Sequence, residues 1–154
     1  MMMRLILFCV LLLCGMNANA QSADKLYTEG KKLYDQEQYK EAVPKLQAAA
    51  EKGHMKAQYR LGRCYDKGDG VKENNKTAFE WYMKAAKQDY AKAQYQVGRC
   101  YLKGKGVTAN EEEAKKWLKR AIKDPDHGSD ILKDLRKAKA DGEEAARILT
   151  ILGK

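Results

Sequence analysis

The stretch AQYRLGRCYDKGDGVKEN, beginning at Ala57, returns 36 residues later as AQYQVGRCYLKGKGVTAN, beginning at Ala93. Laid over each other without a gap, residues 57–92 and 93–128 agree at 16 of 36 positions, where ordinary residue frequencies give roughly two. Gly62, Tyr65, Gly68, Gly70, Val71, Ala78, Trp81 and Ala85 recur as Gly98, Tyr101, Gly104, Gly106, Val107, Ala114, Trp117 and Ala121. A fixed period in the thirties marks one supersecondary unit repeated, each copy burying its apolar face against its neighbour.

Each unit reads as two antiparallel helices. From Lys56 to Lys67, residues Ala57, Leu61, Cys64 and Tyr65 keep helical spacing. Gly68 and Gly70 end that helix and permit the positive φ that a reversal needs. Asn74 or Asn75 then caps a second helix carrying Ala78, Trp81, Tyr82, Ala85 and Ala86 on one face. In the next unit Asn110 is followed by Glu111, Glu112 and Glu113, a cap residue with negative charge against the helix dipole. Gly62 and Ala78 are expected where two helices approach closely, with Tyr65 and Trp81 filling the space beside them. The two tryptophans are expected to be core anchors that join each second helix to the following unit.

The pattern A-x-Y-x-L-G-x-x-Y-x-x-G-x-G-V, followed by Asn, Ala, Trp and Ala at fixed offsets, resembles the Sel1-like repeat, a relative of the tetratricopeptide repeat. Residues 55–90 and 91–126 carry it. Residues 21–54 look like an ordinary tetratricopeptide unit, because Gly30 to Ala42 spans 12 residues where Gly62 to Ala78 spans 16. Pro44 falls early in its second helix, where proline is tolerated best. The resemblance implies an all-α fold, an α/α solenoid of about eight helices in antiparallel pairs with no strand. It also implies a concave groove lined by the first helices, with Tyr27 and Lys31, Tyr59 and Arg63, and Tyr95 and Arg99 facing inward. Each of these pairs is spaced i, i+4 and so shares a helical face. Lys56 and Lys92 stand a turn earlier, Lys67 and Lys103 a turn later.

After Ala121 the repeat dissolves. Asp124-Pro125 stops a helix, since proline disfavours helical geometry in the residue before it. Gly128 and Ser129 restart one through Ile131, Leu132, Leu135 and Ala138. Asp141, with Glu144 three residues on, is expected to cap a last helix through Ala145, Ile148, Leu149 and Leu152. Residues 127–154 thus form a closing helical hairpin.

The opening MMMRLILFCVLLLCGMNANA places Arg4 before an apolar run and ends on Ala18-Asn19-Ala20. The run is too short to span a bilayer core of about 30 Å, and the three parts together read as a secretory signal peptide over residues 1–20. The rival is a lipoprotein signal at Cys14, against which stands the large Leu13 before it. Export to the periplasm or beyond the cell is the expectation, with no transmembrane segment in the mature chain.

The balance of 30 Lys and Arg against 21 Asp and Glu is strongly basic. Export argues against nucleic acid as the partner and in favour of an acidic protein or an anionic surface. Cys9 and Cys14 leave with the signal, so Cys64 and Cys100 remain, at one position of consecutive repeats. Neighbouring helices pack about 8–10 Å apart and a disulfide needs Cα atoms within about 7 Å, so both are expected free. Exported cysteine-rich relatives carry a bridge within each repeat, which this chain lacks.

No constellation for catalysis stands out. His54 and His127 each adjoin an inter-repeat turn and are expected to serve it, and the thiols lack a His or Asn partner in sequence. The Gly-x-Gly turns lack the strand and the Lys-Ser/Thr of a phosphate loop. No catalytic residue, metal ligand or cofactor is assigned. The reading is an exported adaptor that binds a protein or peptide, acidic in character, in its concave groove. An envelope hydrolase of the β-lactamase-like kind, which some cysteine-rich relatives suggest, and a receptor for anionic polysaccharide are the alternatives.

Overall fold

A computed structural model of the 154-residue chain describes residues 22–138 and 142–154. The expected signal segment lies outside the described residues. Helix α1 covers 22–35, followed by α2 (Tyr39–Glu51), α3 (Met55–Lys67), α4 (Asn75–Ala86), α5 (Ala91–Lys103), α6 (Glu111–Lys123), α7 (Gly128–Ala138) and α8 (Glu143–Leu152). No strand occurs among the described residues.

The glycine turns behave as the repeat requires. Gly68 and Gly104 cap α3 and α5 in the left-handed region, and Gly70 and Gly106 follow with φ of 74° and 73°. A Cβ on Gly70 or Gly106 would strike the carbonyl oxygen of Tyr39 or Asn75. Each turn therefore lies directly on the start of the preceding unit's second helix, a fit that a side chain would block. Asn74, rather than Asn75, caps α4, accepting from the Thr77 N–H, and Asn110 caps α6 in the same way through Glu113. Three residues link α1 to α2 and seven link α3 to α4, which accounts for the four residues missing from the first unit.

Within each unit the helices meet at the repeat glycine. A Cβ on Gly62 would lie 2.6 Å from the Tyr82 ring, and one on Gly98 would lie 2.6 Å from Leu118 Cγ. Gly30 faces Leu46 in the first unit, where the added atom would stand 3.0 Å away. The side chain filling the space is thus four residues beyond Ala78 or Ala114, on the same face of the second helix.

Three apolar clusters follow one another along the solenoid. The first joins α2 to α3 through Leu46, Ala49, Ala57, Leu61 and Cys64. Next, α4 meets α5 through Tyr82, Ala85, Ala93, Val97 and Cys100. The third closes the end, with Leu118 of α6 against Leu135 of α7 and Ile148 and Leu149 of α8. Tyr65 packs against the first two clusters and Tyr101 against the last two.

The tryptophans point the other way from expectation. Trp81 on α4 packs against the α2–α3 cluster, and Trp117 on α6 joins the α4–α5 cluster. Each tryptophan therefore sits at the seam with the preceding unit rather than with the following one. Trp117 is buried, whereas Trp81 is half-buried with the Lys84 ammonium 3.8 Å from its ring centroid.

Gln58 and Gln94, one repeat apart and both buried, were given no role by the sequence pattern. Their amides donate to the carbonyls of Ala50 and Ala86, at the ends of α2 and α4. Each carbonyl also accepts a turn bond, from the Gly53 or Asp89 N–H, and the amide takes its second lone pair, so each glutamine ties one unit to the next.

Candidate functional site

A cleft of about 810 Å³ opens between the first helices α3 and α5 and the C-terminal pair α7–α8. Of the residues expected in the groove, Tyr59, Lys92, Tyr95 and Arg99 line it. Tyr59 stands on α3 and the other three on α5, because the i, i+4 spacing puts one face of each first helix toward the concavity. Tyr95 is half-buried, and burial holds its hydroxyl above the usual tyrosine range. The Arg99 guanidinium lies 5.8 Å from the centre of its ring.

The opposite wall is acidic, which the repeat pattern did not foretell. Asp130, Asp134, Ile131 and Leu135 of α7 face into the cleft, with His127 at its edge. From α8, Glu144 reaches across to α5: Arg99 Nε donates to Oε1 at 2.5 Å and Nη2 to Oε2 at 3.2 Å, while Lys103 Nζ lies 2.5 Å from Oε2. Burial alone would raise the Glu144 pKa, but the hydrogen bonds from Arg99 and Lys103 outweigh it and hold the carboxyl below its ordinary value. Glu144 is therefore a charged partner of the groove and not part of a capping box. The N-cap position of α8 belongs to Gly142, and Asp141, expected to cap it, lies outside the described residues.

The remaining predicted residues fall elsewhere. Tyr27 and Lys56 border a smaller depression, of about 420 Å³, with Asp24 and His54. Lys31 pairs with Asp35 on its own exposed helix face. Arg63 and Lys67 make no hydrogen bond or ion pair among the described residues, Arg63 half-buried and Lys67 exposed.

His54 is more than a turn residue. Its Nδ1 accepts from the Ala57 N–H at 3.1 Å and caps α3, its Nε2 lies 3.1 Å from Asp24 Oδ1, and its ring stacks on Tyr27 at 4.3 Å. Accepting at Nδ1 places the ring proton on Nε2, facing the carboxylate. In the C-terminal turn Asp124 plays the matching part, accepting from the backbone N–H groups of Asp126 and His127.

Cys64 and Cys100 are free and buried in successive clusters. Burial pushes the Cys64 thiol up to about 12 and the Cys100 thiol to about 11, so neither is a thiolate nucleophile at neutral pH. Among the described residues no group of three or more His, Cys, Asp or Glu is placed to hold a metal ion, and no helix is long and apolar enough to cross a membrane.

Antiparallel helix pairs stacked about a concave cleft define the class as an α/α solenoid of the tetratricopeptide-like kind. The chain carries two Sel1 repeats, at residues 56–90 and 91–126. It is similar to the crystal structure of a Sel1 repeat protein from Oxalobacter formigenes, with a TM-score of 0.64 and 31% identity over 81% of this chain and 54% of that one. A protective antigen of uropathogenic Escherichia coli strains, displaying an SLR fold, matches with a TM-score of 0.65 and 27% identity over 84% of this chain and 28% of the other. Cysteine rich protein B of Helicobacter pylori matches with a TM-score of 0.54 and 26% identity over 59% of this chain and 69% of its own. The chain thus spans about half the length of the first of these proteins and little more than a quarter of the second. No curated protein matches the chain in sequence.

Proposed function

We propose that the chain is an exported adaptor that seats a protein or peptide along its concave face. Sel1 repeats are in general protein–protein interaction modules. The observation that carries the reading is the cleft itself, where Tyr59 and Tyr95 offer rigid amphipathic contact area beside Lys92. Such aromatic and cationic side chains are the ones interfaces favour at their centres.

The charge arrangement narrows the partner. Asp130, Asp134 and Glu144 balance Lys92, Lys133 and Arg99 within the cleft, so an acidic partner finds its attraction further along the first helices. There Lys56 and Lys67 stand exposed and Arg63 half-exposed. An acidic segment running from these residues into the cleft is the fit we favour. Export rests on the signal-like segment at residues 1–20.

The test is affinity capture from the protein's own cells, with residues 21–154 immobilised. A specific partner should be held by the parent and lost from a Tyr59→Ala, Lys92→Glu variant of unchanged helical spectrum. Capture should also weaken with salt, since exposed charges are screened beyond about 8–10 Å at physiological ionic strength. Capture indifferent to both would overturn the reading. Fractionating the cells and sequencing the mature N-terminus tests export.

A further inference from the structure

We propose that Arg63 and Lys67 form a fork that receives a carboxylate from a helix of a partner protein, and that Glu144 on α8 is the internal pattern for that group. The inference rests on the groove reading and specifies the residue chemistry the groove accepts.

Internal symmetry is the ground for it. Gly62-Arg63-Cys64-Tyr65-Asp66-Lys67 and Gly98-Arg99-Cys100-Tyr101-Leu102-Lys103 occupy the same stretch of α3 and α5, and each helix ends on a left-handed glycine. Arg and Lys at i, i+4 therefore project from one face in both copies. In the second copy this fork closes on Glu144, with three charged contacts to its two oxygens. Charge-assisted bonds of this kind are among the strongest hydrogen bonds a protein makes.

In the first copy neither cation has such a partner among the described residues. The carboxylates beside it are already engaged. Asp66 is held by Lys105 at 2.6 Å and Asp69 by the Tyr34 hydroxyl at 2.5 Å. Of these two repeat-equivalent forks, the second has its acid supplied by the same chain and the first does not.

Glu144 also shows how the acid is presented. It stands in the first turn of α8, next to the small buried Ala145, and one turn before the buried Ile148 and Leu149. A partner helix with a glutamate in its first turn, a small residue beside it and an apolar face behind matches this arrangement, the helix-in-groove mode of recognition.

The probe is a labelled synthetic peptide of residues 142–154, titrated into the full chain by fluorescence anisotropy. Arg63→Gln with Lys67→Gln should weaken binding tenfold or more, and so should Glu144→Gln within the peptide. Lys67→Gln alone, at an exposed position, should cost at least threefold. Lys119→Gln, at an exposed position of α6 outside the cleft, should change the affinity less than twofold, and melting curves of all variants establish that they are folded. Binding indifferent to Arg63 and Lys67, loss confined to an Arg99→Gln, Lys103→Gln variant (exchange with the chain's own α8), or no binding would each overturn the proposal. The groove reading fails separately, on the capture experiment with Tyr59 and Lys92.

Discussion

Lys105 Nζ lies 2.6 Å from Asp66 Oδ1, tying the glycine turn after α5 to the middle unit's first helix. One unit earlier the repeat-equivalent Asp69 accepts a hydrogen bond from the Tyr34 hydroxyl at 2.5 Å. Tyr34 and Asp66 each stand four residues after a repeat glycine, so this is one inter-unit staple made twice with different chemistry. At the third such position Leu102 is apolar, and there Glu144 ties α8 to Arg99 and Lys103 instead.

Replacing Lys105 with Ala should cost about 1 kcal/mol, the upper part of the range for a partly exposed ion pair. A double-mutant cycle with Asp66→Asn, read from urea melts, should show the same coupling. Additive effects would mean the pair contributes nothing.

Gly62→Ala and Gly98→Ala should each destabilise by about 1–3 kcal/mol through overpacking, despite alanine's better helix propensity. The added methyl meets Tyr82 or Leu118 at 2.6 Å, and the Ala78 or Ala114 carbonyl of the same facing helix at 3.2 or 3.3 Å. Combining Gly98→Ala with Leu118→Ala should be less than additive in denaturant titrations, because the second change opens the space the first needs.

Trp117→Ala should cost about 3–5 kcal/mol, as truncation of a buried aromatic does. Trp81→Ala should cost clearly less, because its indole is half-buried and its exposed part is covered by the Lys84 ammonium. Calorimetric melts decide it, and equal losses would contradict the different burial of the two rings.

Stability should depend on His54 in mildly acidic solution. Burial holds its pKa below the ordinary value, against the opposing pull of Asp24. Above about pH 6.5 the ring is neutral in both folded and unfolded chains. Below that the unfolded chain takes up the proton first, so stability falls with pH until the native value is passed. Protonation at Nδ1 also removes the acceptor that caps α3. His54→Asn keeps a cap without the titration, so the urea midpoint should drop between pH 7.5 and 5.5 more steeply in the parent than in this variant. Parallel curves would show that His54 does not titrate in this window.

Much of the fold was legible because its causes are local. Asn110 caps α6 and Gly104 ends α5 through bonds within a few residues of themselves, and the helical spacing of Ala57, Leu61 and Cys64 declares its own buried face. Four of the expected groove residues do meet in the cleft for the same reason. The missed contributions, Asp130, Asp134 and Glu144, lie in the non-repeating hairpin, where no neighbouring copy indicates the packing direction.

The sequence by itself determined that this chain forms helix pairs, where the helices of the two glycine-rich repeats start and stop, and which small residues let the pairs close. Periodicity, capping and glycine stereochemistry act over one or two turns, so a single copy of the repeat contains the instruction. Only the tertiary structure decided that the tryptophans sit at the seam with the preceding unit and that α7 brings an acidic wall to the cleft. It also decided that Glu144 satisfies Arg99 from 45 residues away while Arg63 makes no such bond. Pairings of that kind depend on how the last hairpin packs onto α5 and α6, and a charge carries no mark in sequence of the partner that three-dimensional packing will bring to it.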